Sequence, residues 1–250
     1  MPIQRKARKL LRSFGYDVVR FVPESHPVAR RRRLFEFYSI DTVVDVGANV
    51  GQYAQGLRRD VGYTKRIVSF EPLSSAFGSL SANAKSDPNW EVFNFALGNA
   101  NVAQEINISG NSQSSSLLEM LPSHEAVAPE SKYVGREVVQ VRTLDSVFGD
   151  LYTPGSVVYL KIDAQGFERE VLAGARESLA HIVAVQLEMS LVQFYAGEVL
   201  FDEMCAVMRD RGFGLVALED GYSDPVSAEL LQVDGIFHRH APAIDLNHAG

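Results

Sequence analysis

Several features common in membrane, secreted and metal-binding chains are scarce here, and each scarcity excludes something. No apolar run approaches the roughly 18 to 20 residues that cross a bilayer, so no transmembrane helix is expected. The opening residues lack the apolar core of a secretory signal. The single cysteine, Cys205, excludes an internal disulfide and fits a reducing cytoplasm. With Met204 and Met208 beside it on a predicted helix, it reads as a packed thiol and not a nucleophile. Paired Cys and His residues at metal-ligand spacing are missing, and so is the Gly-x-Gly-x-x-Gly turn of dinucleotide binders.

What remains is a 250-residue chain, 46% hydrophobic, long enough for one α/β domain with a full core. Its net charge of −7 is unevenly spread. Residues 1–33 hold ten Lys and Arg against Asp17 and Glu24, a balance of +8 that leaves −15 for the rest. Ile3, Leu10, Leu11, Phe14, Val18 and Val19 line one side of this basic arm as an amphipathic pattern. Such a pattern suits an anionic membrane surface, a partner protein, or packing against the arm's own acidic domain. Nucleic acid is disfavoured because the acidic body repels phosphate.

The chain is organised around Asp41-Thr-Val-Val-Asp-Val-Gly-Ala-Asn-Val-Gly51. Val43, Val44 and Val46 form a buried-strand run, Gly47 and Gly51 bracket a turn, and Gln52 to Arg59 predicts a helix. This strand, glycine turn and helix start direct free backbone N–H groups to the sheet edge, where a nucleotide-like ligand can approach. Arg66 to Pro72 predicts a second strand ending in Glu71, a carboxylate suited to a ribose diol. Trp90 to Leu97 predicts a third strand, and Gln104 to Ser109 an antiparallel one. Gly110 to Gly135, with its run Asn111-Ser-Gln-Ser-Ser-Ser116, predicts a long loop serving as a lid, a binding loop or a plain mobile connection.

Further on, Val138 to Val141 is extended, and Thr143 caps a short helix. Ser156 to Asp163 and Ile182 to Glu188 are buried strands, each ending in a carboxylate. Val199 to Arg211 is an amphipathic helix, followed by two last strands, Phe213 to Leu218 and Leu231 to His238. Alternating strands and helices predict a doubly wound, mostly parallel sheet with antiparallel pairing at its end. Asp45, Glu71, Asp163 and Glu188 then converge on one crevice at the carboxyl edge. His124 and His181 read as surface or junction residues.

These segments resemble the FkbM family of class I, Rossmann-like methyltransferases using S-adenosylmethionine. The match is carried by Val43-Val-Asp-Val-Gly-Ala-Asn-Val-Gly-Gln-Tyr53, Ser69-Phe-Glu-Pro72, Phe95-Ala-Leu-Gly98, Val141-Arg-Thr-Leu-Asp145 and Leu160-Lys-Ile-Asp-Ala-Gln-Gly-Phe-Glu168. It continues through Glu170-Val-Leu-Ala-Gly174, Glu188 to Tyr195 and Val233-Asp-Gly-Ile-Phe237. The resemblance implies a seven-stranded, mostly parallel sheet with an antiparallel terminal strand pair. The domains would be a basic helical arm at 1–39, a methyltransferase domain at 40–240 and a tail at 241–250.

By the same resemblance, Gly47, Ala48, Asn49 and Gly51 would pass under the methionine part of the cofactor, with Asp45 below. Glu71 would bind the ribose, Pro72 would flank the nucleoside, and Ala96 and Leu97 would border the adenine. Asp163 would sit near the sulfonium. FkbM relatives mostly O-methylate sugars, polyketides and other secondary metabolites, so a hydroxyl of a sugar, glycolipid or secondary metabolite is the expected acceptor. The Asp/Asn-Pro-Pro-aromatic signature of many N-methylating enzymes is missing. Ala164-Gln165 and Phe167 stand where the family often has Val-Glu and Ala.

An alcohol needs help in losing its proton. Asp163 is the first catalytic candidate, Glu188 the second, with Asp234 and His238 behind them. A Mg²⁺ shared by Asp163 and Glu188 is an alternative, with no metal ligands assigned. The competing readings are an NAD(P)-dependent reductase and a non-catalytic cofactor-binding scaffold of the same fold. The expected location is cytoplasmic, with peripheral contact at the inner membrane face through the basic arm.

Overall fold

The computed structural model describes residues 2–239, with side chains from residue 8 onward. Ile3, Arg5 and Lys6 of the arm pattern therefore lie outside the described side chains, and the tail at 241–250 lies outside the described residues. Helices α1 (Pro2–Ser13) and α2 (Pro27–Phe37) lead into β1 (Thr42–Val46), whose five residues are all buried. The glycine turn follows, then α3 (Gln52–Gly56), which continues as a π-helical turn over Leu57–Val61. Next come β2 (Arg66–Phe70), α4 (Ser74–Ala84), β3 (Trp90–Phe93), β4 (Ala96–Leu97) and β5 (Val102–Ser109). The middle of the chain gives α5 (Pro122–Val127), β6 (Tyr133–Arg142), α6 (Leu144–Leu151), β7 (Val158–Ile162) and α7 (Glu168–Ala173). The last elements are β8 (Ile182–Ser190), α8 (Phe201–Asp210), β9 (Phe213–Asp220) and β10 (Gln232–Arg239).

Seven strands form one sheet in the order β3-β2-β1-β7-β8-β10-β9. All its pairings are parallel except those of β10, which runs antiparallel to both β8 and β9. This is the doubly wound, Rossmann-like sheet expected from the sequence, with β1 at the point where the strand order reverses. Side chains of β1, β7 and β8 enter two apolar clusters, one on each face, with Val158, Leu160 and Ile162 of β7 in one and Tyr159 in the other. Thr143 caps α6 as expected, its hydroxyl accepting from the Ser146 N–H at 3.2 Å.

Two local expectations change. Trp90 to Leu97 is not one strand: β3 joins the main sheet, while β4 leaves it to form a three-stranded sheet with β6 and β5. Asn94 makes the break, since its side-chain amide donates back to the carbonyls of Glu71 and Pro72 at 2.9 and 3.0 Å and turns the chain. The segment from Gly110 to Gly135 is also partly regular. Pro122 opens a short helix, where a proline costs no hydrogen bond, and β6 begins at Tyr133.

Helix α2 packs directly on the sheet. Phe35 is buried against the rings of Tyr63 and Tyr159, at 5.4 and 4.7 Å. His124 is buried, not superficial, and stacks on Phe194 at 4.4 Å.

Candidate functional site

A cavity of about 470 Å³ opens at the carboxyl edge of the main sheet, beside the β1 turn. The turn can exist only with glycine at its first position. Gly47 has φ +73°, and a Cβ there would lie 1.8 Å from the backbone oxygen of Asp163. Gly51 has φ +92° and packs against the Trp90 ring, so its role is to seat the turn on the sheet. Gly47, Ala48, Asn49, Glu71, Pro72, Ala96, Leu97, Asp163 and Glu188 all line the cavity. Of the sequence candidates, Asp45 and Gly51 are not among the lining residues, and neither is His238, which stacks on Tyr38 at 3.7 Å. Asp234 does line it.

Strand order sets the layout. Glu71 follows β2, Gly47 follows β1, Asp163 follows β7, Glu188 lies on β8 and Asp234 on β10. At about 4.8 Å per strand step, Glu71 and Asp163 stand roughly 10 Å apart and Asp234 about as far again beyond Asp163.

On the β2 side, each Glu71 oxygen accepts one backbone N–H, from Asn49 at 2.8 Å and from Leu73 at 2.9 Å. Burial nevertheless dominates and pushes its carboxyl up to about 7. The remaining lone pairs of Glu71 and the buried, unpartnered Asn49 Oδ1 are unspent acceptors. Such a set fits a vicinal diol. Leu97, Ile106, Leu117 and Phe167 supply apolar wall for a flat ring.

A row of polar groups runs beneath the turn. Trp90 Nε1 donates to Ser69 Oγ at 2.9 Å, and Ser69 donates to Asp45 Oδ2 at 3.1 Å. Lys161 Nζ lies 3.3 Å from Asp45 Oδ1 and 3.3 Å from Asp163 Oδ2. The register explains the row, because Asp45 pairs with Ser69 on one side and Lys161 on the other. Burial pulls against the ammonium of Lys161, but Asp163 and Asp45 outweigh it and hold the group above its ordinary value. Burial also raises Asp45, opposed by Lys161 and Ser69.

On the β8 side the carboxylates crowd. Gln165 Nε2 donates to Asp163 Oδ1 at 2.9 Å and to Glu188 Oε2 at 2.8 Å, while its Oε1 accepts from Tyr195 at 2.9 Å. Gln165 holds φ +52°, unusual for a side-chain-bearing residue, and its carbonyl accepts from Ser116 at 2.7 Å. Burial, then the neighbouring Asp163, Glu168 and Asp234, push Glu188 well above the usual carboxyl range. Burial raises Asp234 too, and Gln186 donates to it at 3.1 Å.

The serine-rich loop closes over this arrangement. Ser112, Gln113, Ser115 and Ser116 face the cavity, and Asn49 Nδ2 donates to Ser112 Oγ at 3.2 Å. Among the lining residues that escaped the sequence reading, three hold charged or strained positions. Lys161 was hidden inside an apparently apolar strand, and only its register opposite Asp45 gives it a role. Gln165 was visible only as a departure from the family pattern. Arg31 comes from α2, places its guanidinium over the Tyr53 ring at 5.2 Å and pairs with Glu219 on β9. No local signal marked it. Among the described residues, no cluster of three or more His, Cys, Asp or Glu side chains is arranged to hold a metal ion.

A doubly wound sheet with a glycine turn at its switch point and an acid closing the neighbouring strand is an α/β arrangement suited to a nucleoside ligand. The profile of the Methyltransferase FkbM domain matches residues 45–215, about two thirds of the chain. The chain belongs to that family.

Among solved structures, a methyltransferase FkbM from Methylobacillus flagellatus KT is 17% identical with a TM-score of 0.46. The match covers 78% of this chain but 43% of that one, so this chain spans under half of that relative's length. Magnesium protoporphyrin IX methyltransferase from Synechocystis PCC 6803, solved with bound SAM, is 10% identical over 86% of this chain and 78% of that one, at TM-score 0.47. An rRNA methylase from Streptococcus thermophilus is 11% identical over 86% and 98%, at 0.45. The family match, not these distant likenesses, carries the assignment. A comparison with curated proteins found no match.

Proposed function

We propose that this protein transfers a methyl group from S-adenosylmethionine to a hydroxyl of a sugar, glycolipid or secondary metabolite. The observation that carries the reading is one continuous cavity with unspent acceptors at Glu71 and Asn49 and a carboxylate cluster about 10 Å along the same sheet edge. When bound, the cofactor supplies an electrophilic methyl on a sulfonium. Glu71 accepts the ribose hydroxyls, and Asn49 Oδ1 accepts a further donor. Ala96, Leu97 and Pro72 border the nucleoside.

On the other side, the chain's task is to aim the acceptor oxygen and remove its proton. Positioning supplies much of the rate when the reacting atoms are held in line and water is excluded. Asp163 is the base, fixed in place by Lys161 and Gln165 through both of its oxygens. Glu188 and Asp234, which line the same end of the cavity, hold the acceptor through hydrogen bonds. A nicotinamide-dependent reductase is set aside by the family membership.

Calorimetry with S-adenosylmethionine and NADPH tests the cofactor, and only the first should bind. Methyl-labelled cofactor incubated with cell extract tests the reaction. Label in the carbohydrate, lipid or small-metabolite fraction is expected, and binding without any transfer would leave a scaffold. Asp163→Ala should abolish transfer with cofactor affinity kept within about threefold. Equal losses in both would make Asp163 structural.

A further inference from the structure

We propose that the segment from α1 to Phe21 lies in the surface of an anionic lipid bilayer and holds the methyltransferase domain against it. Nothing in the catalytic cavity uses this segment. Yet it carries an unusual concentration of exposed apolar side chains. Leu10 is 61% exposed, Phe14 70%, Val18 59% and Phe21 53%, with Leu11, Tyr16 and Val19 also open to solvent. Isolated apolar residues on a surface need no explanation, but seven within twelve positions form a patch of the kind that marks an interaction site.

The helix divides this content cleanly. At 100° per residue, Leu10, Leu11 and Phe14 fall within one arc, while Arg8, Lys9, Arg12 and Ser13 occupy the opposite one. An apolar face opposite a Lys/Arg face is the pattern of a helix lying in the membrane plane, with apolar side chains among the acyl chains and cations at the headgroups. The segment is also pre-shaped. The Tyr16 N–H bonds back to the Leu11 carbonyl at 3.0 Å, and Asp17 clamps Arg8 and Arg12 at 2.6 and 2.9 Å, turning the chain back at the end of the helix. At its base, Arg32 lies over the Phe21 ring at 5.8 Å and ties the segment to α2.

Charge selects the occupant. Residues 2–21 hold six Lys and Arg against Asp17, a balance of +5 that leaves −12 for the rest of the chain, so an anionic bilayer attracts this segment and repels the remainder. Nucleic acid would satisfy the cations but leave Leu10, Phe14 and Phe21 in water. A lipid surface satisfies both. Among the described residues no helix is long and apolar enough to cross a membrane, so the contact is one of lying on the surface.

The test is co-sedimentation of the full chain with vesicles of phosphatidylcholine alone and with about one third phosphatidylglycerol, at low and at roughly physiological salt. The anionic vesicles should bind at least about tenfold more protein than the neutral ones, with binding weakened by salt. Leu10→Asp with Phe14→Asp should lower partition at least about tenfold. In the same variant, melting temperature and S-adenosylmethionine affinity, measured as folding controls, should stay unchanged.

Equal binding of wild type and variant, or no binding to either vesicle, would overturn the proposal. So would a lipid-free dimer in analytical ultracentrifugation that the same two changes dissolve, because the apolar face would then belong to a second copy of this chain. Loss of cofactor affinity in both proteins would refute the proposed function and leave the vesicle result standing by itself.

Discussion

Glu71 offers the sharpest test of the cavity. Its side chain is buried and takes two backbone N–H groups, yet burial still raises its carboxyl to about 7. A ribose diol needs the ionised form, because a protonated carboxyl has lost acceptor capacity. Two hydrogen bonds to a charged acceptor contribute about 3 kcal/mol or more together, so Glu71→Ala should weaken cofactor binding roughly a hundredfold. With an apparent value near 7, the ionised fraction falls about tenfold between about pH 8 and about pH 6. Wild-type affinity for S-adenosylmethionine should fall by that factor over the same range. Glu71→Gln should bind more weakly throughout and lose this part of the slope. Comparing the two by calorimetry cancels any titration of the cofactor itself. A wild-type affinity that runs parallel to that of Glu71→Gln across this range would refute the reasoning.

Three further outcomes follow from the same network. Gln165→Glu replaces a donor shared by Asp163 and Glu188 with a third carboxylate, so turnover should fall at least about tenfold with its pH profile moved upward and cofactor affinity kept; an unmoved profile would deny it a positioning role. Lys161→Met leaves Asp45 buried without its cation and should cost about 3 to 5 kcal/mol in urea unfolding. Adding Asp45→Asn should recover part of that loss. The third concerns pH. Glu71 and Glu168, raised by burial to about 7 and about 8, keep their protons in the folded chain where the unfolded chain has lost them. Stability of the cofactor-free protein should therefore fall as pH rises from about 5 to about 8, and Glu168→Gln should flatten the trend. Carboxylates lowered by ion pairs, such as Asp87 beside Arg58, lose their contribution only at more acid pH. Stability rising with pH across the window would contradict the assignment.

How far the sequence could be read depended on where the information lay. The β1 turn and Glu71 were legible because a strand, its glycine turn and the acid after the next strand are local patterns with a physical reason. Thr143 as a helix cap was legible for the same reason. The split between Phe93 and Ala96 was not, since it depends on Asn94 reaching two carbonyls rather than on apolar periodicity. Pro122 did carry a readable helix-start signal that the surrounding serines and prolines obscured. Lys161 lay inside a run that reads as core. Its meaning appears only when β7 is set beside β1, a pairing more than a hundred residues apart in sequence. Arg31 was counted as one cation among many in a basic arm, and only the packing of Phe35 brings it to the cavity.

That packing of α2 has a consequence for how the molecule divides. The matched stretch, residues 45–215, supplies most of the hollow, including Asp163, Gln165 and Glu188, whereas Arg31 and Asp234 come from either side of it. A fragment trimmed to the recognisable stretch would lose a wall and uncover the socket that Phe35 fills.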